Sequence, residues 1–565
     1  MYIVKKTISG KDYYYIRESV RKGDKVKSNL VCYGGKTMEL AKKKLEGMGI
    51  KKENDNANED KKIKEKIEEN IGVETKKTDL TIDELTQFCK RKGFVFRSSD
   101  IYGGLAGFWD FGPLGIELFN NIKREWWNYF VKQREDMVGM EASIISHPLT
   151  WKASGHLTSF SDTSVVCKKC GRANKIDKSE VGKVRCGCGG EYEIKGEFNL
   201  MFKTSIGSIK PMEAYLRGET AQGMFMDFKL IQQTARMSLP FGIAQIGRCF
   251  RNEIAPRDFL FRSREFHIGE FEFFINPEEK KCDLLIKEHL DLRFMFLDEE
   301  TQKSGSDKLK ETSIGEILRK GKLDEWHSYW LAEQIKWFRS LGLNEIKIRE
   351  HLKDELSHYS SATFDIDYEY PFGSKEIAGI ANRGQYDLNQ HQKESGENME
   401  VFDEKYKNKV IPRVIEPTFG MERIFLAVLA KAYNYDAKRQ NVVLKLNPKL
   451  APITAAVFPI VKSPEYEKIS ENIVNELKKE FNVVYDRSGS IGRRYSRNDE
   501  IGTIACITVD EESPKNNTCT IRDRDTTKQI RVKIPDLKNV LRKIIDGESI
   551  VNLGKIVETR VKNKG

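Results

Sequence analysis

GRCFRNEIAPRDFLFRSREFHIGEFEFF, residues 247–274, is the stretch on which the interpretation of this chain depends. Two alternating segments flank the ten residues IAPRDFLFRS, where Pro and Asp favour a turn, and they predict an antiparallel hairpin with a long loop. Side chains point alternately to the two faces of a strand. One face is therefore predicted to carry mostly charged side chains. It consists of Arg251 and Glu253 on the first strand and of Arg264, Phe266, Ile268, Glu270 and Glu272 on the second.

The opposite face of the second strand carries Phe271 and Phe273, which are typical of a core. A charged strand face is often no more than the solvated side of an antiparallel sheet. Taken alone, the hairpin leaves a solvated surface and a binding site as equal alternatives. The rest of the chain has to decide between them.

Composition limits the class of protein. A length of 565 residues suggests roughly three to five domains, and a hydrophobic content of 39% is enough for buried cores. The formal charge of +11, from 96 basic and 85 acidic residues, suits a polyanionic partner, although such charge is more often a solvated surface. No apolar run approaches the roughly 18 residues that span a bilayer, and no signal-peptide block follows Met1. A cytosolic protein is therefore expected.

The two ends of the chain differ from its middle. Residues 1–50 alternate like hairpin strands and continue into a short predicted helix at 37–48, which indicates a small module of unknown role. Residues 51–78 are almost all charged and predict a linker, and residues 546–565 form a basic tail.

Two helices are predicted directly after the linker. Thr81 fits an N-cap because Glu84 follows three residues later. The second helix carries an apolar stripe that is typical of a core or a subunit interface and consists of Ile116, Phe119, Ile122, Trp126, Tyr129 and Phe130.

Ten cysteines in a chain of this length, four of them close together, favour thiols and a metal site over a disulfide framework. Cys167 and Cys170 form CKKC, and Cys186 and Cys188 form CGC after fifteen further residues. Two short turns can bring four thiolates into the tetrahedron that zinc prefers, with no open position for catalysis. The pattern predicts a structural Zn²⁺ in an insertion at 163–197, the alternative being a thiol cluster without metal.

Three shorter segments carry single charged residues in places that suit a ligand. Glu219 lies in LRGETAQG, where capping a helix or pairing with Arg217 is an equal alternative to ligand binding. Glu376 lies in PFGSKEIAGI. In VIEPTFGMERIFLAVLAKAY a strand is expected to end near Ile415, followed by a turn at Pro417 and Gly420 and then a helix. Arg423 would lie in the first turn of that helix, where a cation opposes the helix dipole unless an anion such as phosphate lies in front of it.

These segments resemble a known family. FWDFGPLGIELFNNIKREWW, FRNEIAPRDFLFRSREF and EPTFGMER resemble motifs 1, 2 and 3 of class II aminoacyl-tRNA synthetases. IYGGLAGFWDFGPLG, SGHLTSF, LRGETAQG, PFGIAQIGRCFRNE and SIGRRYSRNDEIGT are similar, in this order, to the dimeric glycyl-tRNA synthetases of class IIa. The resemblance runs from about residue 79 to about residue 545.

The resemblance implies an α+β multidomain protein. Residues 79–447 would form a catalytic domain with a six- or seven-stranded antiparallel sheet flanked by helices, and residues 448–545 an α/β anticodon-binding domain. The motif 1 helix would lie at a homodimer interface. The implied reaction is ATP-dependent activation of glycine with release of pyrophosphate, followed by transfer of glycine to the 3′ end of tRNA(Gly), with ATP as substrate and Mg²⁺ as cofactor.

The resemblance also implies site residues, with Arg251 and Arg423 as the catalytic pair. Arg251 would bind the α-phosphate and the amino-acid carboxylate, and Phe266 and Arg423 would enclose the adenine ring, Arg423 also lying near the γ-phosphate. Glu253 would contact adenine, and Glu376 would line the ATP and magnesium region. The full ATP set is Arg251, Asn252, Glu253, Phe261, Arg262, Ser263, Arg264, Glu265, Phe266, Glu376, Ile377, Gly420, Met421, Glu422 and Arg423.

Three carboxylates, Glu219, Glu270 and Glu416, would bind the glycine ammonium group. Such a cluster is difficult to explain without a cation, because buried like charges repel. The full implied glycine set is Lys175, Glu219, Phe266, His267, Ile268, Gly269, Glu270, Glu416, Pro417, Thr418, Phe419 and Gly420. Four positions depart from the usual family pattern, namely Lys175, Gly218, the segment HIG at 267–269, and Thr418.

Arginines beside aromatic residues also occur near the C-terminus. Arg493, Arg494 and Arg497 surround Tyr495, and Arg522 and Arg524 follow. Such a set suits unstacked RNA bases. Ion pairs within the domain, to Asp499, Glu500, Asp523 and Asp525, are an equal alternative. For the whole chain, the other functions considered are a synthetase for another small amino acid and a non-enzymatic nucleic-acid-binding protein with the same fold.

Overall fold

The computed structural model describes residues 2–8, 11–22, 25–35, 80–176, 182–357 and 360–557, the first three ranges as strands only. The chain divides into two compact units, Met1–Lys77 and Thr78–Gly565. The helix predicted at 37–48 and the linker predicted at 51–78 lie outside the described residues. Within the described part of the chain, no helix is both long and apolar enough to cross a membrane.

The first unit contains three strands in one antiparallel sheet, β1 (Tyr2–Ile8), β2 (Lys11–Lys22) and β3 (Lys25–Gly35). Each strand pairs with the next along the chain, as the alternating sequence predicts.

The second unit begins with a long mixed region up to residue 444. Its helices are α1 (Ile82–Lys92), α2 (Pro113–Trp127), α3 (Pro148–Ala153), α4 (His156–Ser159), α5 (Ala221–Thr234), α6 (Lys287–Leu290), α7 (Glu299–Lys303), α8 (Ile314–Arg319), α9 (Glu325–Ser340), α10 (Tyr386–Ser395) and α11 (Met421–Ala432). Its strands are β4 (Val95–Arg97), β5 (Trp109–Phe111), β6 (Met137–Gly139), β7 (Ile145–Ser146), β8 (Ser161–Cys167), β9 (Ala173–Lys175), β10 (Tyr192–Asn199), β11 (Phe202–Ile206), β12 (Met212–Leu216), β13 (Phe241–Phe250), β14 (Glu265–Ile275), β15 (Arg293–Leu297), β16 (Lys310–Ser313), β17 (Ile346–Glu350), β18 (Ala362–Tyr370), β19 (Gly373–Gly384), β20 (Val401–Asp403), β21 (Asn408–Val410), β22 (Arg413–Gly420), β23 (Tyr433–Asp436) and β24 (Asn441–Leu444).

A nine-stranded sheet dominates this region, in the order β16-β15-β17-β18-β19-β22-β14-β13-β6. The six strands from β17 to β13 are all antiparallel to their neighbours, which is the antiparallel sheet expected from the sequence. Parallel pairs extend it on both sides, β15 beside β17 and β6 beside β13, so the complete sheet is larger than expected and mixed.

The core lies between one face of this sheet and the helices α2, α9 and α11. Phe271 of β14 packs on Trp330 of α9, with ring centroids 4.6 Å apart, and Phe130 packs on Phe419 of β22 at 5.0 Å. Phe271 and Phe273 are both fully buried, as the strand alternation predicts. The apolar stripe after residue 113 also lies in this core, except that Ile116 is 38% exposed.

The predicted hairpin is formed by β13 and β14, but its strand boundaries differ from the sequence interpretation. β13 ends at Phe250, so Arg251 and Glu253 lie in the connection and not on the first strand. The backbone of Arg251 still donates to the carbonyl oxygen of Arg264 at 3.0 Å, which keeps the two sides of the connection together. The connection therefore projects arginine and glutamate side chains beyond the end of the sheet.

The turn predicted at Pro417 is also wrong. β22 runs from Arg413 to Gly420 without a turn, and α11 begins directly after it. Pro417 has no N–H to donate, but it lies where the pairing of β22 with β14 is interrupted, between the Glu270–Thr418 and Phe273–Ile415 pairs. A proline is tolerated in this central strand because the ladder needs no donor there. Arg423 does lie in the first turn of α11, as predicted.

The C-terminal part of the second unit forms a separate six-stranded sheet with its own core. Its order is β26-β25-β27-β28-β29-β30, with parallel pairs around β25 and antiparallel pairs from β27 onward, which is the mixed sheet that the sequence predicts. The elements are β25 (Ala455–Pro459), α12 (Pro464–Leu477), β26 (Val483–Tyr485), α13 (Ile491–Glu500), β27 (Ala505–Val509), α14 (Ser513–Asn516), β28 (Thr518–Asp523), β29 (Gln529–Lys533), α15 (Leu537–Ile545) and β30 (Lys555–Ile556).

Arg439, in the turn between β23 and β24, joins the large sheet region to the C-terminal sheet. Its guanidinium donates to the carboxylate of Asp499 at 3.2 Å and to the carbonyl oxygens of Arg524 at 2.7 Å and Asp525 at 2.8 Å. An ion pair between Lys92 and Glu500 makes a second connection. The two sheets are thereby held as parts of one compact unit.

Candidate functional site

A cleft of about 620 Å³ opens where the β13–β14 connection faces β19, β22 and the start of α11. We call it the hairpin cleft. It is lined by Arg251, Glu253, Leu260, Phe261, Arg262, Ser263, Phe266, His267, Ile268, Glu376, Ala378, Thr418, Gly420, Glu422 and Arg423. Of the predicted hairpin face, Arg251, Glu253, Phe266 and Ile268 therefore line a cleft.

Arg251 lies at the centre of this cleft. Its Nε donates to the carbonyl oxygen of Gly218 at 3.1 Å. The guanidinium carbon is 5.2 Å from the ring centroid of Phe160 and 5.4 Å from that of Phe266, so the cation contacts two aromatic rings. Among the described residues Arg251 forms no ion pair, and its charge remains available to an anion.

Arg423 faces the same cleft from α11. Its guanidinium lies 4.6 Å from the ring centroid of Phe261, and its Nη1 donates to the carbonyl oxygen of Glu376 at 3.0 Å and lies 3.1 Å from the Glu376 carboxylate. The hydroxyl of Tyr370 donates to the carbonyl oxygen of Arg423 at 3.1 Å. This positions the arginine at the helix N-terminus, where the backbone also attracts anions.

Glu253 is buried and fixed by Arg262. The Arg262 Nε donates to a Glu253 oxygen at 2.7 Å and its Nη2 lies 2.6 Å from the same carboxylate. A further carboxylate, Asp162 of β8, lies 3.7 Å from Arg262 and 2.5 Å from Lys175. These pairs connect the long loop to the cysteine-containing insertion and close one side of the cleft.

A buried group of acids adjoins the hairpin cleft, and we call it the acidic pocket and define it as Glu219, Glu270, Glu272 and Glu416 with Arg383. Glu270 accepts hydrogen bonds from the hydroxyls of Thr220 and of Thr418, the latter at 2.9 Å. Glu416 accepts from Arg383 Nη1 at 2.8 Å.

Glu219 has polar partners on several sides. Its carboxylate lies 3.1 Å from the Nε2 of His156, accepts from Gln222 at 2.9 Å and lies 3.8 Å from Arg383. Arg383 in turn makes two 2.8 Å bonds to the buried carboxylate of Asp387.

Burial and mutual repulsion shift the acids of this pocket. Burial, together with the charge of Glu219, raises the pKa of Glu270 above its ordinary value. Burial raises the pKa of Glu416 further, although Arg383 opposes the rise. Burial would also raise the pKa of Glu219, but His156 and Arg383 outweigh it and hold that pKa below its ordinary value. A pocket with this charge pattern is suited to a small cation.

A buried arginine supports the floor of the pocket. Arg217 donates to the carbonyl oxygens of Arg248 at 2.7 Å and Ala142 at 2.8 Å, and passes directly over Gly247. A Cβ at position 247 would come within 2.1 Å of the Arg217 guanidinium. A side chain at position 247 would therefore displace the Arg217 guanidinium from its present position.

The structure separates the residues implied by the resemblance into groups. The hairpin cleft is lined by Arg251 and Arg423 together with Phe261, Arg262, Ser263, Phe266, His267, Ile268, Glu376, Thr418, Gly420 and Glu422. The buried residues Ile377, Phe419 and Met421 belong to the core, and a Cβ on Gly269 would meet Met421 and Trp126 there. Strand alternation turns the side chains of Ile377 and Phe419 away from the cleft, whereas Met421 is the first residue of α11.

Asn252, Arg264, Glu265 and Lys175 hold the surroundings of the cleft. The backbone of Asn252 donates to Leu200, Arg264 donates to backbone oxygens of Glu253 and Ala106, and Glu265 pairs with Arg248. Lys175 lines a wider opening beside the cleft, with its ammonium group on Asp162. Pro417 is buried within β22.

His267, in the segment that departs from the family pattern, contacts motif 3. Its backbone N–H and its Nδ1 both lie 2.7 Å from the carboxylate of Glu422, and its ring is 5.0 Å from that of Phe119 on α2. These contacts connect the three predicted motifs.

Sequence reasoning missed the groups that support the acidic pocket, namely His156, Thr220, Gln222, Arg383 and Asp387. Arg383 and Asp387 are four residues apart, but they span the end of β19 and the start of α10, so helical spacing did not indicate a pair. A requirement for charge balance was the available signal, because three buried carboxylates need a nearby cation.

The four clustered cysteines come together as predicted. The Sγ atoms of Cys167 and Cys188 are 3.5 Å apart, those of Cys170 and Cys186 are 3.7 Å apart, and all four lie within 4.8 Å of one another.

Most of the C-terminal arginines already have partners within the second unit. Arg522 makes two bonds to Asp499, at 2.8 and 2.9 Å, and Arg524 donates to Gly502, Leu446 and Asp525. Arg494 is buried and donates to the carbonyl oxygens of Pro459 and Gly489. Arg493 is exposed on α13.

Comparison with known proteins gives consistent relatives over most of the chain. A glycine–tRNA ligase of Treponema denticola is 41% identical over 474 residues, which cover 81% of this chain and 96% of that protein. A glycine–tRNA ligase of Geobacillus thermodenitrificans is 42% identical over 501 residues, covering 82% and 98%. One of Borreliella burgdorferi is 39% identical over 475 residues, covering 82% and 97%. A family model described as an anticodon binding domain matches residues 454–544.

Proposed function

The chain belongs to the glycine–tRNA ligase family, and on that premise we propose that it activates glycine with ATP and transfers the glycyl group to tRNA(Gly). The observation that carries this proposal is the position of the acidic pocket, which adjoins an arginine-lined cleft at Thr418 and Arg251. A small molecule with an ammonium group at one end and a carboxylate at the other fits across that boundary.

In the first step, a carboxylate oxygen of glycine attacks the α-phosphorus of ATP, and the bond from that phosphorus to the bridging oxygen of pyrophosphate breaks. In the second, a hydroxyl of the terminal ribose of tRNA attacks the glycyl carbonyl carbon, and AMP leaves. Both reactants of the first step are anions, so catalysis depends on positioning and on positive charge more than on a general base.

Arg251 and Arg423 supply that charge. Arg251, held by Gly218 and two phenylalanine rings, is suited to the α-phosphate and the glycine carboxylate at once. Arg423 would cover one face of the adenine ring and approach the γ-phosphate, with Phe266 on the other face. Glu253 would accept a hydrogen bond from the adenine amino group, because Arg262 fixes its carboxylate at the cleft wall.

Glu376 offers a half-exposed carboxylate beside Arg423, which fits Mg²⁺ coordinated by phosphate oxygens. Magnesium bound there would neutralise phosphate charge. Glu376 would hold the ion, and its contact with Arg423 would keep the carboxylate at the cleft edge.

Glu219, Glu270 and Glu416 would bind the glycine ammonium group. Each of the three carboxylates is buried. His156 and Gln222 orient Glu219, Thr220 and Thr418 orient Glu270, and Arg383 orients Glu416. The methyl group of Thr418 would narrow the pocket at Cα, which favours the amino acid that has no side chain. Specificity would then depend on charge for binding and on space for exclusion.

Pyrophosphate exchange measured separately with each amino acid tests this proposal. Glycine alone should support rapid exchange between pyrophosphate and ATP. Exchange that depends on alanine or serine would favour a synthetase for another small amino acid, and no exchange with any amino acid would favour a non-enzymatic protein.

We also propose that the four cysteines bind one structural Zn²⁺. Zinc–sulfur bonds of about 2.3 Å in a tetrahedron require sulfur atoms about 3.8 Å apart, and the observed spacings of 3.5 and 3.7 Å fit that requirement. Metal analysis should find one zinc per chain, and Cys167→Ser with Cys170→Ser should lose it. Buried Cys89 is a matched control, because Cys89→Ser should keep the zinc.

A homodimer is the third part of the proposal. Exposed apolar side chains occur before α2 and on it, namely Ile101, Tyr102 and Leu105 at 57–87% exposure and Ile116 at 38%. Light scattering should give twice the chain mass, about 130 kDa from 65.2 kDa per chain. Tyr102→Glu with Leu105→Glu should give monomers, and retention of the dimer would place its interface elsewhere.

The C-terminal domain would bind the anticodon of tRNA, and the protein would act in the cytoplasm with its tRNA. Filter binding of tRNA(Gly) to the whole chain and to the chain ending at residue 447 tests the role of the C-terminal domain in tRNA binding. The shorter chain should bind tRNA more weakly while it retains glycine-dependent exchange.

A further inference from the structure

Glu272 is the one member of the acidic pocket to which the proposed function gives no role. It lies two residues beyond Glu270 on the same face of β14, with 0% of its surface exposed. Neither of its carboxylate oxygens has a hydrogen-bond partner among the described residues. An ionised carboxylate without a partner is very unfavourable in such a place, so Glu272 must carry a proton or lie beside a group that does.

The neighbours of Glu272 are mostly acids. Carboxylate oxygens of Glu270, Glu272 and Glu416 all lie within 4.8 Å of one another. The nearest cation is Arg383 of β19, which already makes two bonds to Asp387 of α10 and one to Glu416 of β22. One arginine cannot balance four carboxylates at this depth.

Among the described residues, Arg383 is the cation that opposes the charge of these acids at Glu272. Ile243 of β13 lies opposite it, and Phe225 of α5 faces Arg383, with the guanidinium 5.3 Å from the ring centroid. Burial raises the pKa of Glu272 well above its ordinary value, and Glu416, Glu270 and Asp387 raise it further against the opposing effect of Arg383. Acids at this spacing titrate as a group, so a proton belongs to the set and not to one member.

We propose that Glu270, Glu272 and Glu416 share one proton when the pocket is empty, and that the arriving glycine ammonium group displaces it into solvent. Glu272 is then a positioning residue, because it helps to hold the proton that balances the charge of Glu270 and Glu416 until a substrate cation replaces that proton. The proton, which is one positive charge, is exchanged for the ammonium group, which is another. The buried pocket therefore never holds all of its carboxylates ionised without a compensating cation. This inference rests on the proposed function, since it assumes that glycine is the ligand.

Titration calorimetry of the full chain tests the exchange directly. The ligand is a non-hydrolysable glycyl-adenylate analogue, titrated at pH 7.5 in phosphate and in Tris, buffers that differ in their heats of ionisation. The difference in heat gives the number of protons released, which should be close to one per site. The acetyl analogue, which lacks only the amino group, should release none.

Glu272→Gln keeps the shape of a protonated glutamate but cannot lose the proton. This variant should bind the glycyl analogue with proton release reduced by more than half. Glu333→Gln is the matched control, because Glu333 is also buried but lies on α9 beside His289, outside the acidic pocket. It should release as much as the wild type.

A steady-state measurement gives a second readout. The KM for glycine should fall by up to tenfold per unit as pH rises from 6 to 8, while the KM for ATP stays constant.

The possible results distinguish a failure of the proton exchange from a failure of the proposed function. If the wild type binds the glycyl analogue without releasing a proton, the exchange is wrong and the proposed function stands. If neither glycine nor the glycyl analogue binds, the proposed function itself is wrong. Should Glu272→Gln fail to fold, the two ligands with the wild type still decide the question.

Discussion

Arg251 of the hairpin cleft and Arg522 of the C-terminal sheet both contact aromatic rings, but they are held in different ways. Arg251 contacts one carbonyl oxygen and two phenylalanine rings. Arg522 also faces a ring, that of Tyr495 at 4.7 Å, yet both of its terminal nitrogens bond to the buried Asp499. An arginine is available to a ligand only when no buried carboxylate of its own fold already neutralises it.

Removing the cleft arginine should give the largest effect. Arg251→Ala should reduce glycine-dependent pyrophosphate exchange by about 1,000-fold, because it removes the cation that faces the transition-state charge. Arg248→Ala is the control, since that arginine is 54% exposed and pairs with Glu265. Near-normal exchange by Arg251→Ala would show that the Arg251 guanidinium is no more available to a substrate anion than the C-terminal arginines are.

Removing the buried arginine should change stability instead of activity. Arg522→Ala should lower the free energy of unfolding by about 3 kcal/mol, because Asp499 would remain buried without its main partner. Urea unfolding followed by circular dichroism measures the change. Pyrophosphate exchange by the folded fraction should match the wild type, and a specific loss of exchange would contradict the structural role of Arg522.

The third case in this comparison is Glu270 of the acidic pocket. Its carboxylate accepts hydrogen bonds from two threonines and, among the described residues, is bonded to no cation. Glu270→Gln should raise the KM for glycine by about 30-fold, near 2 kcal/mol, through loss of one charged interaction. The KM for ATP should change less than twofold. Glu278→Gln, at an exposed position just after β14, is the control and should leave both constants unaltered. Equal changes in both constants would indicate a general disturbance of the cleft.

The smallest expected effect concerns Arg493, the exposed arginine of α13. Arg493→Ala should weaken tRNA(Gly) binding by about threefold, with a smaller salt dependence, because one phosphate contact is lost. Exchange without tRNA should be unaffected. If tRNA binding does not change, Arg493 does not contact the RNA, and exposure alone does not make an arginine of the C-terminal domain a ligand-binding residue.

Much of the fold was predictable because it depends on local periodicity. Alternation along 265–274 identified the core face with Phe271 and Phe273, and Thr81 caps α1 by accepting from the backbone of Glu84 at 3.2 Å, as predicted. The errors are at places where a tertiary contact overrides local preference. Pro417 stays within a strand because the ladder to β14 is interrupted beside it.

The site was less predictable for the same reason. The resemblance indicated Arg251, Glu270 and Arg423, and these residues do lie around one cleft and its pocket. Spacing along the chain gave no indication of Arg383 or His156, whose roles depend on contacts with carboxylates more than thirty residues away along the chain. Sequence alone also could not assign the C-terminal arginines, because the exposed and the buried ones differ only in their partners.

The bridge made by Arg439 has a consequence for how an RNA could be recognised. Its three bonds fix the C-terminal sheet relative to the large sheet, so the distance from the hairpin cleft to the far end of the molecule is set by the protein. A nucleic acid that reaches both places must match that length. Molecules that are too short or too long would be rejected by their dimensions, before any base is read.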